Sequence, residues 1–100
     1  MKVTEILILG THPEIVKTVL RLVNNNPEWA GTSASSVQEA EEICRKKHFQ
    51  LVLVGGGISE EDEQELHGKL KMIHKDLTIV RHYGGGSGLL TAEIYNALNG

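Results

Sequence analysis

Residues 51–62 read LVLVGGGISEED. Four branched apolar residues stop at three glycines, Gly55–Gly57, and an acidic stretch follows from Glu60. A short run that is apolar at every position and bounded by glycine fits a strand covered on both faces. Such strands belong to parallel sheets sandwiched by helices. In those sheets ligands bind beyond the carboxyl ends of the strands. The three glycines therefore stand where chemistry is expected.

Three more runs read as strands on either side of this stretch. Thr4–Leu9 (TEILIL) is again nearly continuous in apolar character, like Gln50–Val54 itself. Trp29–Ala34 (WAGTSA) is poor in strand formers and reads as an edge strand. Leu77–Tyr83 (LTIVRHY) begins apolar and ends polar. Between the strands the period changes to that of a helix. Val16, Val19, Leu20 and Val23 make one stripe, and Val37, Ala40 and Cys44 with Ile43 make a second. Leu66, Leu70 and Ile73 make a third, and Leu90, Ile94, Ala97 and Leu98 a fourth. Three helix starts carry a hydroxyl residue three positions before an acid: Thr11/Glu14, Ser36/Glu39 and Ser59/Asp62. The fourth follows GGGSG (Gly84–Gly88) and has no acid before Glu93.

Strand and helix alternate four times with short connections. This predicts an α/β fold in three α/β/α layers, with a four-stranded parallel sheet in the order 2-1-3-4 and right-handed crossovers. Residues 1–100 are expected to form a single domain. The formal net charge of −3 disfavours a nucleic-acid surface. Cys44 is the sole cysteine, so an internal disulfide is excluded. No apolar run approaches the ~18 residues of a membrane span. The opening MKVTEILILG lacks an apolar core followed by a small-residue cleavage site, and the expected location is cytoplasmic.

ILILGTHPEIVKTVLRLVNNNPEW (Ile6–Trp29), FQLVLVGGGIS (Phe49–Ser59) and HKDLTIVRHYG (His74–Gly84) resemble the first, third and fourth strand regions of a response-regulator receiver domain. The last stretch, SGLLTAEIYNALNG (Ser87–Gly100), resembles the final helix of that family. The resemblance implies a flavodoxin-like signalling module. It also places Gly10 and Thr11 where the family carries its Mg²⁺-binding acids, and Gly55 where it carries the phosphoacceptor aspartate. Tyr83 falls near the family's fourth-strand hydroxyl residue. The chain reads as shortened by about one helix–strand unit.

With no acceptor oxygen at Gly55 and no acid at Gly10 or Thr11, the expectation is a degenerate module, neither an enzyme nor a phosphorelay receiver. It is expected to need no metal or cofactor. Its partner is expected to be another protein or a second copy, met through the edge Thr78–Tyr83 and the last helix, which makes a homodimer one outcome. The alternative is a small-anion or nucleotide site. In that reading Gly84, Gly85, Gly86, Ser87 and Gly88 offer backbone N–H groups at a helix start, with His82 and Thr11 nearby. A flexible connector is the competing reading of the same loop. Gly55–Gly57 reads either as room for a ligand backbone or as a turn that tolerates positive φ. Arg81 and His82 are candidates for blunting the edge. His12 and His82 sit near the same mouth without a third ligand. Cys44 reads as a buried thiol, Ser59 and Ser87 as caps, and Glu60–Glu65 as a solvated helix start.

Overall fold

The computed structural model describes residues 3–55, 57–81, 92 and 94–98. The elements are β1 (Thr4–Leu9), α1 (Pro13–Asn24), β2 (Trp29–Ala34), α2 (Val37–Lys46), β3 (Leu51–Val54), α3 (Glu60–Ile73) and β4 (Thr78–Arg81). The strands form one sheet in the order β2-β1-β3-β4. Every neighbouring pair is parallel, with Leu9 opposite Ala34 and Val54, and Val54 opposite Arg81. The expected architecture is thus borne out, including β2 at an edge.

The two central strands explain the layering. Side chains alternate across a strand. Leu7, Leu9, Val52 and Val54 pack on one face with Ala40, Cys44, Leu66 and Leu70 from α2 and α3. Ile6, Ile8, Leu51 and Leu53 pack on the other with Val19 and Val23 of α1 and with Ile94. Each such aliphatic side chain contributes roughly 1.5–3 kcal/mol on burial. The helical residues 94–98 therefore share a face with α1, while α2 and α3 cover the opposite face. Trp29 is buried at the start of β2, and its ring lies 5.2 Å from that of Tyr95.

The weak strand character of β2 has a packing reason. A Cβ on Gly31 would lie 2.9 Å from Leu20 Cδ1 and 3.1 Å from Val23 Cγ1, so α1 rests directly on the backbone there. The strand bounds are slightly tighter than expected. Gln50 stands outside β3, although its N–H donates to the Glu5 carbonyl at 2.9 Å. Leu77 is buried just ahead of β4. His82 and Tyr83 lie outside the described residues.

Two helix starts behave as read. Ser36 Oγ accepts from the Glu39 N–H at 3.1 Å, and Ser59 Oγ from the Asp62 N–H at 3.1 Å. The Glu39 carboxylate reaches one residue further back than expected, accepting from the Ser35 N–H at 2.7 Å.

Ile94→Ala should remove about 2–5 kcal/mol of stability. Trp29 emission should shift to the red at lower denaturant than in the unmodified chain, because Tyr95 shares the helical segment. A denaturation midpoint and Trp29 spectrum both unchanged would show that residues 94–98 do not dock as described.

Candidate site at the carboxyl end of the sheet

β1 and β3 leave the sheet side by side. The Gly10 N–H donates to the Ala34 carbonyl at 3.1 Å, and the Gly55 N–H donates to the Leu9 carbonyl at 2.6 Å. Each glycine thus carries the strand ladder one step beyond its strand. A Cβ at Gly55 would lie 3.1 Å from the Leu9 carbonyl oxygen, tight against backbone that moves little.

Gly57 has φ +87°, a conformation that L side chains rarely adopt. A Cβ there would fall 1.8 Å from Thr11 Oγ1 and 3.3 Å from His12 Nε2. The loop after β3 is therefore pressed against the loop after β1, and the space a side chain at position 57 needs is filled by the Thr11 hydroxyl. Of the two readings of the first glycine cluster, the positive-φ turn is realised at Gly57.

Thr11 does not cap α1 as expected. The N-cap is His12, at φ −98° and ψ 103°, and it makes no side-chain cap bond. The reason lies in Pro13, the first helical residue. Proline fits the start of a helix and drives the preceding residue into the extended region. That moves the cap to His12 and leaves Thr11 one residue too early.

A second tie crosses the mouth from the other side. Arg81, the last residue of β4, donates from Nε to Glu63 Oε1 at 2.6 Å and from Nη2 to the Ile58 carbonyl at 3.3 Å. Its Nη2 also contacts Glu63 Oε1. Both side chains are about a quarter exposed, at 23 % and 28 %. The pair fastens the end of β4 to the first turn of α3 and to the loop before it. Two expectations change accordingly. Arg81 is spent within the chain, which removes it as a blunting charge on the edge. The acidic stretch is only partly a solvated helix start: Glu63 is paired, and Glu65 Oε1 lies 2.8 Å from Lys69 Nζ. The remaining acids of the first turn, Glu60, Glu61 and Asp62, favour the helix N-terminus by charge.

The other candidates fall as follows. His12 and Thr11 are exposed at the mouth, and Gly55 is half-buried. His82, Tyr83, Gly84, Gly85, Gly86, Ser87 and Gly88 lie outside the described residues. Cys44 is buried, and burial pushes its thiol up to about 11. His74 Nε2 lies 3.0 Å from the Cys44 carbonyl, and the His48 and His74 rings stand 4.4 Å apart. Among the described residues no three His, Cys, Asp or Glu side chains gather as a metal site. Sequence reasoning missed the Arg81–Glu63 tie. The alternating faces of β4 and the first-turn acids of α3 carry a weak signal for it.

Replacing Arg81 with Ala should cost ~1–3 kcal/mol, by breaking a charged, partly buried hydrogen-bond pair. Gly57→Val should cost at least as much, because it meets both an unfavourable φ and the Thr11 hydroxyl. Chemical denaturation measures both; a loss below ~0.5 kcal/mol in either variant contradicts the geometry of that tie.

No family model matches the chain, and no curated relative matches it. Solved structures do resemble it. A sensor protein from Polaromonas sp. superposes with TM-score 0.81 at 16 % identity, covering 96 % of each chain. A response-regulator receiver domain protein from Clostridium thermocellum gives TM-score 0.76 at 16 % identity, covering 97 % of this chain and 95 % of that one. The lactose-specific IIB component of the phosphoenolpyruvate:carbohydrate phosphotransferase system from Streptococcus pneumoniae gives TM-score 0.68 at 14 % identity, covering 98 % and 93 %. The chain therefore has a receiver-like, flavodoxin-like α/β fold.

Proposed function

We propose that this chain is a non-catalytic, receiver-like regulatory module that acts by contact with other protein and does not accept phosphate on an aspartate. The observation that carries the reading is the donor set at the mouth. Transfer to a side chain needs an acceptor oxygen, and Gly55 has none. Mg²⁺ takes oxygen ligands and is usually held through one or two carboxylates. Gly10, Thr11 and Gly55 supply backbone carbonyls and one hydroxyl, which do not fit that ion. Glu63, a carboxylate near the mouth, is engaged by Arg81.

The fold supports a signalling role by analogy only, since one scaffold hosts many functions. Self-association through β4 belongs to the same proposal. Thr78, Ile79 and Val80 are half-buried in a strand that pairs with β3 alone among the described strands, and a strand with an unpaired side invites pairing.

Two measurements test this. Incubation with labelled acetyl phosphate and Mg²⁺ should leave the chain unlabelled. Gly55→Asp should stay unlabelled as well, with stability lowered by ~1–2 kcal/mol through the contact at the Leu9 carbonyl. Magnesium-dependent labelling of the unmodified chain would refute the reading. Light scattering at rising concentration should show a dimer that Val80→Lys disfavours; a monomer throughout would remove the self-association half.

A further inference from the structure

Arg81 ends β4, but its side chain is spent on Glu63, so it does not blunt the outer side of that strand. Another element supplies a charge there. The Thr78 N–H donates to the Gln50 carbonyl at 3.3 Å and therefore points toward β3. The peptide joining Leu77 to Thr78 is trans, and a trans peptide sets its C=O opposite its N–H. The Leu77 carbonyl thus points away from β3, to the outside of the sheet. Lys71 Nζ, from the last turn of α3, donates to that carbonyl. Lys71 pairs with no carboxylate among the described residues.

Peptide groups alternate in direction along a strand. Beyond Leu77, the groups of β4 that face outward are the N–H and C=O of Ile79 and the N–H of Arg81. A strand added to this edge would run roughly 4.8 Å from β4. A nitrogen hydrogen-bonded to the Leu77 carbonyl stands in that path. It is also a positive charge, and a lysine at a sheet edge discourages pairing with another chain.

We infer that Lys71 guards the β4 edge against a second copy of this chain and leaves Ile79 as the point where two copies pair. This rests on the reading of β4 as the self-association edge and sets a limit on it. A two-fold axis at the edge runs the two strands antiparallel. Opposite residues of an antiparallel pair share a face, so the axis passes beside one residue and not between neighbours. At Ile79 the two copies exchange N–H···O bonds, and each Ile79 side chain meets its mate on the face that packs with α3. Thr78 of each copy then stands opposite Val80 of the other. The next bonds outward would join the Arg81 N–H of one copy to the Leu77 carbonyl of the other, and Lys71 already holds that acceptor. Lys71 therefore removes the outer bonds of the junction and keeps only those at Ile79.

The test is light scattering at rising concentration on the full chain. Lys71→Ala should dimerise at a roughly tenfold lower concentration than the unmodified chain, because the Leu77 carbonyl is freed for the partner. Lys71→Arg keeps a charged donor and should behave like the unmodified chain. Adding Ile79→Pro to Lys71→Ala should cancel the gain, since proline there removes an outward N–H and no bond to β3. Trp29 emission confirms that each variant is folded. Amide exchange gives a readout that needs no proline. In Lys71→Ala the Ile79 and Arg81 amides should exchange more slowly as concentration rises, while Thr78 and Val80 stay as they were. Two results overturn the inference: Lys71→Ala associating no more tightly than the unmodified chain, or exchange at Ile79 indifferent to concentration. An unmodified chain that stays monomeric while Lys71→Ala dimerises removes the self-association half of the proposed function and supports the guard. A dimer equally strong in both does the reverse.

Discussion

β1 and β3 bury every side chain from Ile6 to Leu9 and from Leu51 to Val54, on both faces at once. A strand of that kind needs helices above and below it, and this requirement sets the rest of the structure. It draws α1 and residues 94–98 to one side, and α2 and α3 to the other. Among the described residues no polar side chain is buried in that core. Among the described residues the polar side chains therefore stand at the strand ends and on the helix surfaces.

At the carboxyl end, where this fold ordinarily offers a site, the chain satisfies itself. Gly10 and Gly55 extend the ladders, Thr11 fills the space beside Gly57, and Arg81 holds Glu63 and the Ile58 carbonyl. Among the described residues these contacts tie the loop after β3 to the loop after β1 and to the end of β4. Thr11 and His12 remain exposed there, and between α2 and α3 Met72 is turned outward near the Lys69–Glu41 pair. Similar folds appear in proteins named as a receiver domain and as a phosphotransferase component, so side chains decide what this architecture does.

Much of the fold was legible because it rests on periodicity. The apolar runs at Thr4–Leu9 and Leu51–Val54 and the stripes such as Val16, Val19, Leu20 and Val23 depend only on which neighbours share a face. The cap of α1 was misread although its signal was local: the restriction that Pro13 places on His12 outweighs the Thr11/Glu14 spacing. The Arg81–Glu63 tie spans eighteen residues and two elements, and only the register of β4 against β3 brings it about. The proposed anion loop, Gly84–Gly88, falls outside the described residues.

The proposed function requires that the end of the sheet near Gly10, Thr11 and Gly55 hold neither Mg²⁺ nor phosphate. A magnesium titration followed through the backbone amide resonances of those three residues tests it most directly. No saturable shift is expected at any of them up to about 10 mM Mg²⁺, the behaviour of a site without carboxylates. A saturable shift shared by all three would contradict it.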